Sequence, residues 1–377
     1  MSASLCPHRV LLGHSLSPSI LSITSLRRRE QLLTSRRHAH SSSSKTHTRP
    51  SSSAQPVTST VPSTTTTATT SLANDVNPPP STRPADLNLP NPIVPSAAAT
   101  EKLKRFISMG RAYLSFYKTG LKNVYHNYRA SIPLRSSLGI NPYLPISPPP
   151  PTKHGKAFAA FDNAVRTLPL SRSNFQLIRR AAYDFRRMVP FTLMLIVCGE
   201  LTPLVILALG SAIVPFTCRI PRQVEKDRAL HIARKRAAMT AHELAATGFL
   251  TPVAVGSEQE LDLLVRMYAH PAWIETASAE EILRACAALG LVKSHTRPVA
   301  LVSLLYRDRL RRYAEYLNLD DRLIRKCGGV KELEAAEVRI AVEERGGVGI
   351  AQDSEGWDAE RVERRWLERW LERRVKQ

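Results

Sequence analysis

Met188 to Cys218 is a run of 31 residues with no Lys, Arg or Asp and one acid, Glu200. About 20 apolar residues suffice to cross a bilayer core. As a straight helix at about 1.5 Å per residue the run would extend about 46 Å, against about 30 Å of hydrocarbon, so part of it must tilt, bend or lie outside. Pro203 supplies a bend: without an amide hydrogen it leaves the Gly199 carbonyl unpaired, one residue before Glu200. The run therefore reads as one proline-broken transmembrane helix, 188–218. A buried helix of a water-soluble core is the competing reading. An intramembrane carboxyl is expensive, which makes Glu200, with Gly199 and Pro203, the intramembrane candidate site. Glu200 is either a proton-exchanging group or a protonated acid that holds helices together.

The flanks set the compartment. Residues 1–50 are rich in Arg and Ser and carry a single acid, Glu30. That is the composition of a mitochondrial transit peptide, since a secretory signal needs an apolar core of about 7 to 15 residues. Residues 51–100 are mostly Ser, Thr, Pro and Ala, too poor in large apolar side chains to bury a core, and are expected to be a disordered linker. The predicted location is the mitochondrial inner membrane.

Lys and Arg number 53 against 32 acids, a net charge of +21, which draws the chain to polyanions: RNA or anionic inner-membrane lipids. Residues 101–130 read as a basic amphipathic helix that either lies on such a surface or packs on its own chain. A Pro-rich linker is expected over 131–157. The stretch 158–187 should lead as a helix into the membrane segment, giving a unit of 158–218, and seven basic residues of 219–236 should continue the membrane helix into water. Arg222, Arg234, Lys235 and Arg236 there, with Arg307, Arg309, Arg311 and Arg312, are the candidate RNA or head-group contacts.

Beyond that point helical signals dominate. Ser278 and Glu281 form a capping box, and Val299 to Leu317, Asp320 to Lys326 and Lys331 to Arg345 read as three further helices. Residues 351–377 form an amphipathic helix carrying Val362, Trp366, Leu367, Trp370 and Leu371 on one stripe. No long run alternates with period two, so the fold class is all-α. Five widely spaced cysteines encode neither a disulfide framework nor a zinc site. There is no P-loop, dinucleotide fingerprint, nucleophile elbow or H-E-x-x-H helix, so no enzyme, metal, cofactor or small-molecule substrate is expected.

Three stretches resemble the leucine zipper and EF-hand containing transmembrane (LETM) family of the mitochondrial inner membrane. They are LSRSNFQLIRRAAYDFRRMVPF from Leu170, the glutamate and spaced prolines Glu200, Pro203 and Pro215, and RLRRYAEYLNLDDRLIRKCGGVKELEAAEVRIAVEERG from Arg309. The resemblance implies a matrix-side, 14-3-3-like helical domain over 219–350 that binds mitochondrial ribosomes and supports inner-membrane protein biogenesis and ion and volume homeostasis. The alternative it implies is a potassium/proton exchanger working through Glu200, which one span can form only as part of a homo-oligomer.

Overall fold

Helix ends in this chain are written into its polar and glycine residues. Ser257 and Ser278 each accept a first-turn amide, from Glu260 at 3.2 Å and Glu281 at 3.4 Å, and Glu281 returns the bond to the Ser278 amide at 2.8 Å. The computed structural model describes residues 72–92, 98–150, 156–198, 214–248, 253–293 and 297–375. Among these the regular elements are all helical.

The order is α1 (Ala99–Ser137), α2 (Lys156–Thr167), α3 (Arg172–Cys198), α4 (Pro221–Thr247), α5 (Glu258–Leu263), α6 (Pro271–Thr276), α7 (Ala279–Ala288), α8 (Arg307–Lys326), α9 (Ala335–Glu344) and α10 (Gly356–Val375). A π turn, Leu264–Tyr268, extends α5, and another, Val302–Tyr306, joins Val299–Leu301 to α8. The two helices expected over 299–326 are thus one continuous rod.

Helix α1 does not stop at the expected linker but runs through Pro133. It closes at Gly139, whose φ of 66° suits a residue without Cβ, and the Ile140 amide bonds back to the Arg135 carbonyl at 2.9 Å. A side chain at Gly139 would meet Ala160 of α2 at 2.8 Å. The loop after it is packed, with Leu138 and Ile140 buried. Part of the expected disordered linker is also docked. Val76 is buried, the Asn77 side chain donates to the Glu332 carbonyl at 2.7 Å, and Arg83 pairs with Glu334.

The charge-free run departs most from expectation. Helix α3 carries its first part, antiparallel to α1: Tyr128 stacks on Phe185 with centroids 3.9 Å apart, and Tyr117 packs with Phe191 and Met194. The run's far end returns to the same place. Val214 and Cys218 pack with Phe191, and the Asp184 carboxylate accepts the Phe216 amide at 2.6 Å and the Thr217 amide at 3.3 Å. Gly120 of α1 makes room, because a Cβ there would sit 2.7 Å from the Cys218 Sγ. Ends of the run in contact do not fit one straight helix over 188–218. No described helix is long and apolar enough to cross a membrane. Nor does the run continue into water as one helix: after a 3-10 turn at Phe216–Cys218 the chain is extended at Arg219, and Pro221 opens α4.

Helices α3, α8, α9 and α10 meet around a buried ionic network. Arg172 on α3 donates to Asp320 at 2.9 Å and lies 3.5 Å from Glu337 of α9. Arg345, just after α9, reaches Asp320 at 2.7 Å and Asp321 at 2.6 Å. Gln176 adds a bond to Asp320 at 2.7 Å, Arg180 grips Glu337 through two nitrogens at 2.7 and 2.8 Å, and Trp370 of α10 donates to Asp321 at 3.1 Å. Burial alone would raise the Asp320 pKa, yet the adjacent Arg172 and Arg345 outweigh it and hold the carboxyl below its ordinary range. Glu337 is also lowered, its burial outweighed by Arg180 and Arg172.

Breaking one partner leaves buried charge uncompensated, so Arg345→Met should cost about 3 to 5 kcal/mol in urea unfolding. Because the folded pKa values of Asp320 and Glu337 lie below their unfolded ones, their contribution is complete above about pH 4 to 5 and lost as pH falls further. Asp320→Asn should flatten that acid limb in a pH series of melting temperatures; an unchanged limb would show the network does not govern acid stability.

Candidate functional site

The bundle holds a cleft of about 850 Å³. Its walls are the loop from Leu144 to Pro149, the 179–186 stretch of α3, residues of α8, His231 of α4 and the turn at Leu289–Gly290. Tyr316 and Tyr313 form its floor. Tyr316 donates to Glu344 at 2.6 Å and Tyr313 to the Glu344 carbonyl at 2.7 Å, while Arg179 stacks 3.4 Å over the Tyr316 ring and pairs with Glu344 at 2.7 Å. Burial pushes the Tyr313 and Tyr316 hydroxyls above their ordinary range, so both stay protonated donors. His231 bonds the Ala288 carbonyl at 3.0 Å, and burial, with Arg234 and Lys235 nearby, lowers its pKa and keeps it neutral.

Cations line the cleft unevenly. Arg179 is paired, whereas among the described residues Arg186, Arg309 and Arg312 bond only a hydroxyl or carbonyls: Ser147 Oγ at 2.8 Å, the Leu291 carbonyl at 3.1 Å and the Asp308 carbonyl at 3.4 Å. Burial, then the neighbouring Arg179 and Arg312 cations, lowers the Arg186 pKa. The arrangement can hold an anion. It has no nucleophile paired with a base, and no described group of His, Cys, Asp and Glu could hold a metal.

The candidate arginines of 307–312 do not share a face. Helical spacing pairs 307 with 311 and 309 with 312. Arg307 donates to the carbonyls of Ile274, Glu275 and Ala277, capping the end of α6, and Arg311 bridges Asp308 at 2.6 Å and Glu275 at 3.6 Å. Only Arg309 and Arg312 face the cleft. Lys235 is a core residue, buried and 2.8 Å from Glu260, with burial lowering its pKa. Arg234 bonds the Leu230 and Val292 carbonyls and Arg236 the Gln352 side chain, while Arg222 is exposed. Gly199, Glu200 and Pro203 lie outside the described residues. Sequence reading missed Arg179 and Arg186 as cleft components, although the i,i+3 spacing of Arg309 and Arg312 already separated them from Arg307 and Arg311.

Arg307→Ala removes charge-assisted bonds to three carbonyls and should destabilise the fold by about 2 kcal/mol. Arg309→Ala, which loses one, should change the urea midpoint little; equal losses would refute the division of labour.

No curated protein and no solved structure matches the chain. A family model does: the pentamidine resistance factor domain (PNT1) covers residues 101–327, and that family is associated with mitochondria. This overturns the LETM resemblance, and with it the LETM-type ribosome binding and the potassium/proton exchange through Glu200 that the resemblance implied. The matched region begins at α1 and ends with α8, so it takes in the whole α1/α3 pair that the expected domain left out, and more than half of the sequence: the chain belongs to the pentamidine resistance factor (PNT1) family.

Proposed function

We propose that this chain is a non-enzymatic, monotopic protein of the mitochondrial inner membrane, attached from the matrix face by the apolar end of the α1/α3 pair. The observation that carries the reading is the meeting of the two ends of the charge-free run at Phe191, Val214 and Cys218, on a helix pair that also exposes large apolar side chains. On α3 these are Val189, Leu193, Ile196 and Val197, the last two 73% and 76% exposed. On α1 they are Leu103, Phe106, Ile107 and Leu114, with Phe106 at 68% and Leu114 at 70%. Water disfavours large apolar side chains repeated along a helix face.

Charge selects the occupant. Lys102, Lys104, Arg111, Lys118 and Lys122 are exposed along the same part of α1, against one acid, Glu101. An apolar wedge with a basic rim suits an anionic bilayer, where each Lys or Arg near the surface contributes roughly 1 kcal/mol. A second copy of the chain would bring its own cations to the same place and be repelled. Import through the Arg- and Ser-rich N-terminal stretch delivers the chain to the matrix, and a run whose described ends meet at Phe191, Val214 and Cys218 suits attachment from that face.

Purified protein should float with vesicles of phosphatidylcholine and cardiolipin at low salt and not with phosphatidylcholine alone. The pair Ile196→Asp and Val197→Asp, at exposed positions, should abolish flotation and leave the melting temperature intact. Self-association in gel filtration without flotation on either vesicle would replace the membrane reading with a homo-oligomeric one.

A further inference from the structure

We propose that the cleft between α3, α8 and the 144–149 loop is a binding site for a small phosphate ester with an apolar body, its phosphate held by Arg186, Arg309 and Arg312. Three cations, each exposed, line one concavity, and none has a carboxylate partner among the described residues. A fourth stands behind the wall. Arg135 is 0% exposed and donates Nη2 to the carbonyl of Ile146, a cleft residue, at 2.7 Å, yet its Nε and Nη1 have no partner. Buried guanidinium donors without partners are rare, because each forfeits its water without replacement.

The carboxylates nearby are all engaged: Glu344 with Arg179 and Tyr316, Glu343 with Arg228 at 2.6 Å, and Asp184 with two backbone amides. They leave the excess positive charge in place. Guanidinium forks match the oxygens of a phosphate in geometry as well as charge. The lining also includes Pro145, Pro148, Leu289 and Tyr313, apolar or aromatic surface that suits a ligand that is more than a bare ion. The cleft's arginines neither react with the ligand nor transfer a proton; they bind it. This inference does not depend on membrane attachment, because the probes that test it are soluble.

Calorimetric titration of the full chain with dioctanoyl phosphatidylglycerol, adenosine monophosphate and inorganic phosphate separates the sources of such a group. At least one should bind saturably and raise the melting temperature, and the strongest of the three identifies the source. Arg312→Gln and Arg186→Gln should each weaken that binding about tenfold or more. Arg312→Lys, which keeps the charge and loses the fork, should fall between. Without ligand the Gln variants should melt no lower than wild type, since each removes a repelling cation and no ion pair; a structural role would lower it. Absence of saturable binding by all three probes, or binding indifferent to both Gln variants, overturns the proposal.

Discussion

Everything in the bundle is referred to the cation-carboxylate network around Asp320. Arg172, Arg345, Asp320, Asp321 and Glu337 are fully or almost fully buried, and each finds its counterpart on another element. Ions out of water are tolerated only with mutual pairing and satisfied hydrogen bonds, so the network fixes how α3, α8, α9 and α10 approach one another. Apolar packing alone would permit neighbouring registers. The cleft inherits this order, because its floor residues Tyr316 and Arg179 are bonded to Gln176 and Glu344, next to the network.

The same residues explain how a resemblance can mislead. Leu170-Ser171-Arg172, Asp320-Asp321 and Glu344-Arg345-Gly346, three of the pieces that suggested LETM, converge in space on this network. Their spacing reports how helices are locked together, and helical bundles of different families can meet that need with similar residues. A structural solution was legible as a signature, but function lives in sites. Here the cleft is lined by Arg186, Arg309 and Arg312, and Arg186 belongs to no pattern that the sequence marks.

What the sequence made legible is what short-range physics decides. The capping box at Ser278, the all-helical character of the described residues and the tryptophan stripe of the last helix follow from side chains within a few residues of one another, and α10 buries Trp366, Leu367, Trp370 and Leu371. Direction is a long-range property. The charge-free run has the length to cross a bilayer, and nothing within it says that Phe216 will return to Asp184. Likewise the Pro-rich stretch after α1 has the composition of a linker, but Arg135 holds its Ile146 carbonyl and Tyr128 donates to its Tyr143 carbonyl at 2.6 Å, so it becomes a wall of the cleft. Residues 76–83 are similar: poor in large apolar groups, they dock through the Asn77 amide and Arg83 guanidinium instead.

Helix α3 then does three jobs in succession, and this is why no single criterion classifies it. Its first turns, Arg172 to Arg180, carry charge into the core, where carboxylates neutralise it. Its middle, from Arg179 to Arg186, carries charge to the cleft, where the excess is left for a ligand. Its last turns, from Val189 to Val197, carry no charge and present exposed apolar surface. The spacing is short: Arg186 and Val189 are one turn apart, about 4.5 Å along the axis. A bilayer surface at the final turns would therefore lie close to the cleft's arginines, and the low-dielectric boundary would weaken the water screening that otherwise separates their charges. Mutual repulsion among Arg186, Arg309 and Arg312 would rise, and so would their attraction for a phosphate, coupling attachment to ligand binding through electrostatics alone, without any movement of the helices.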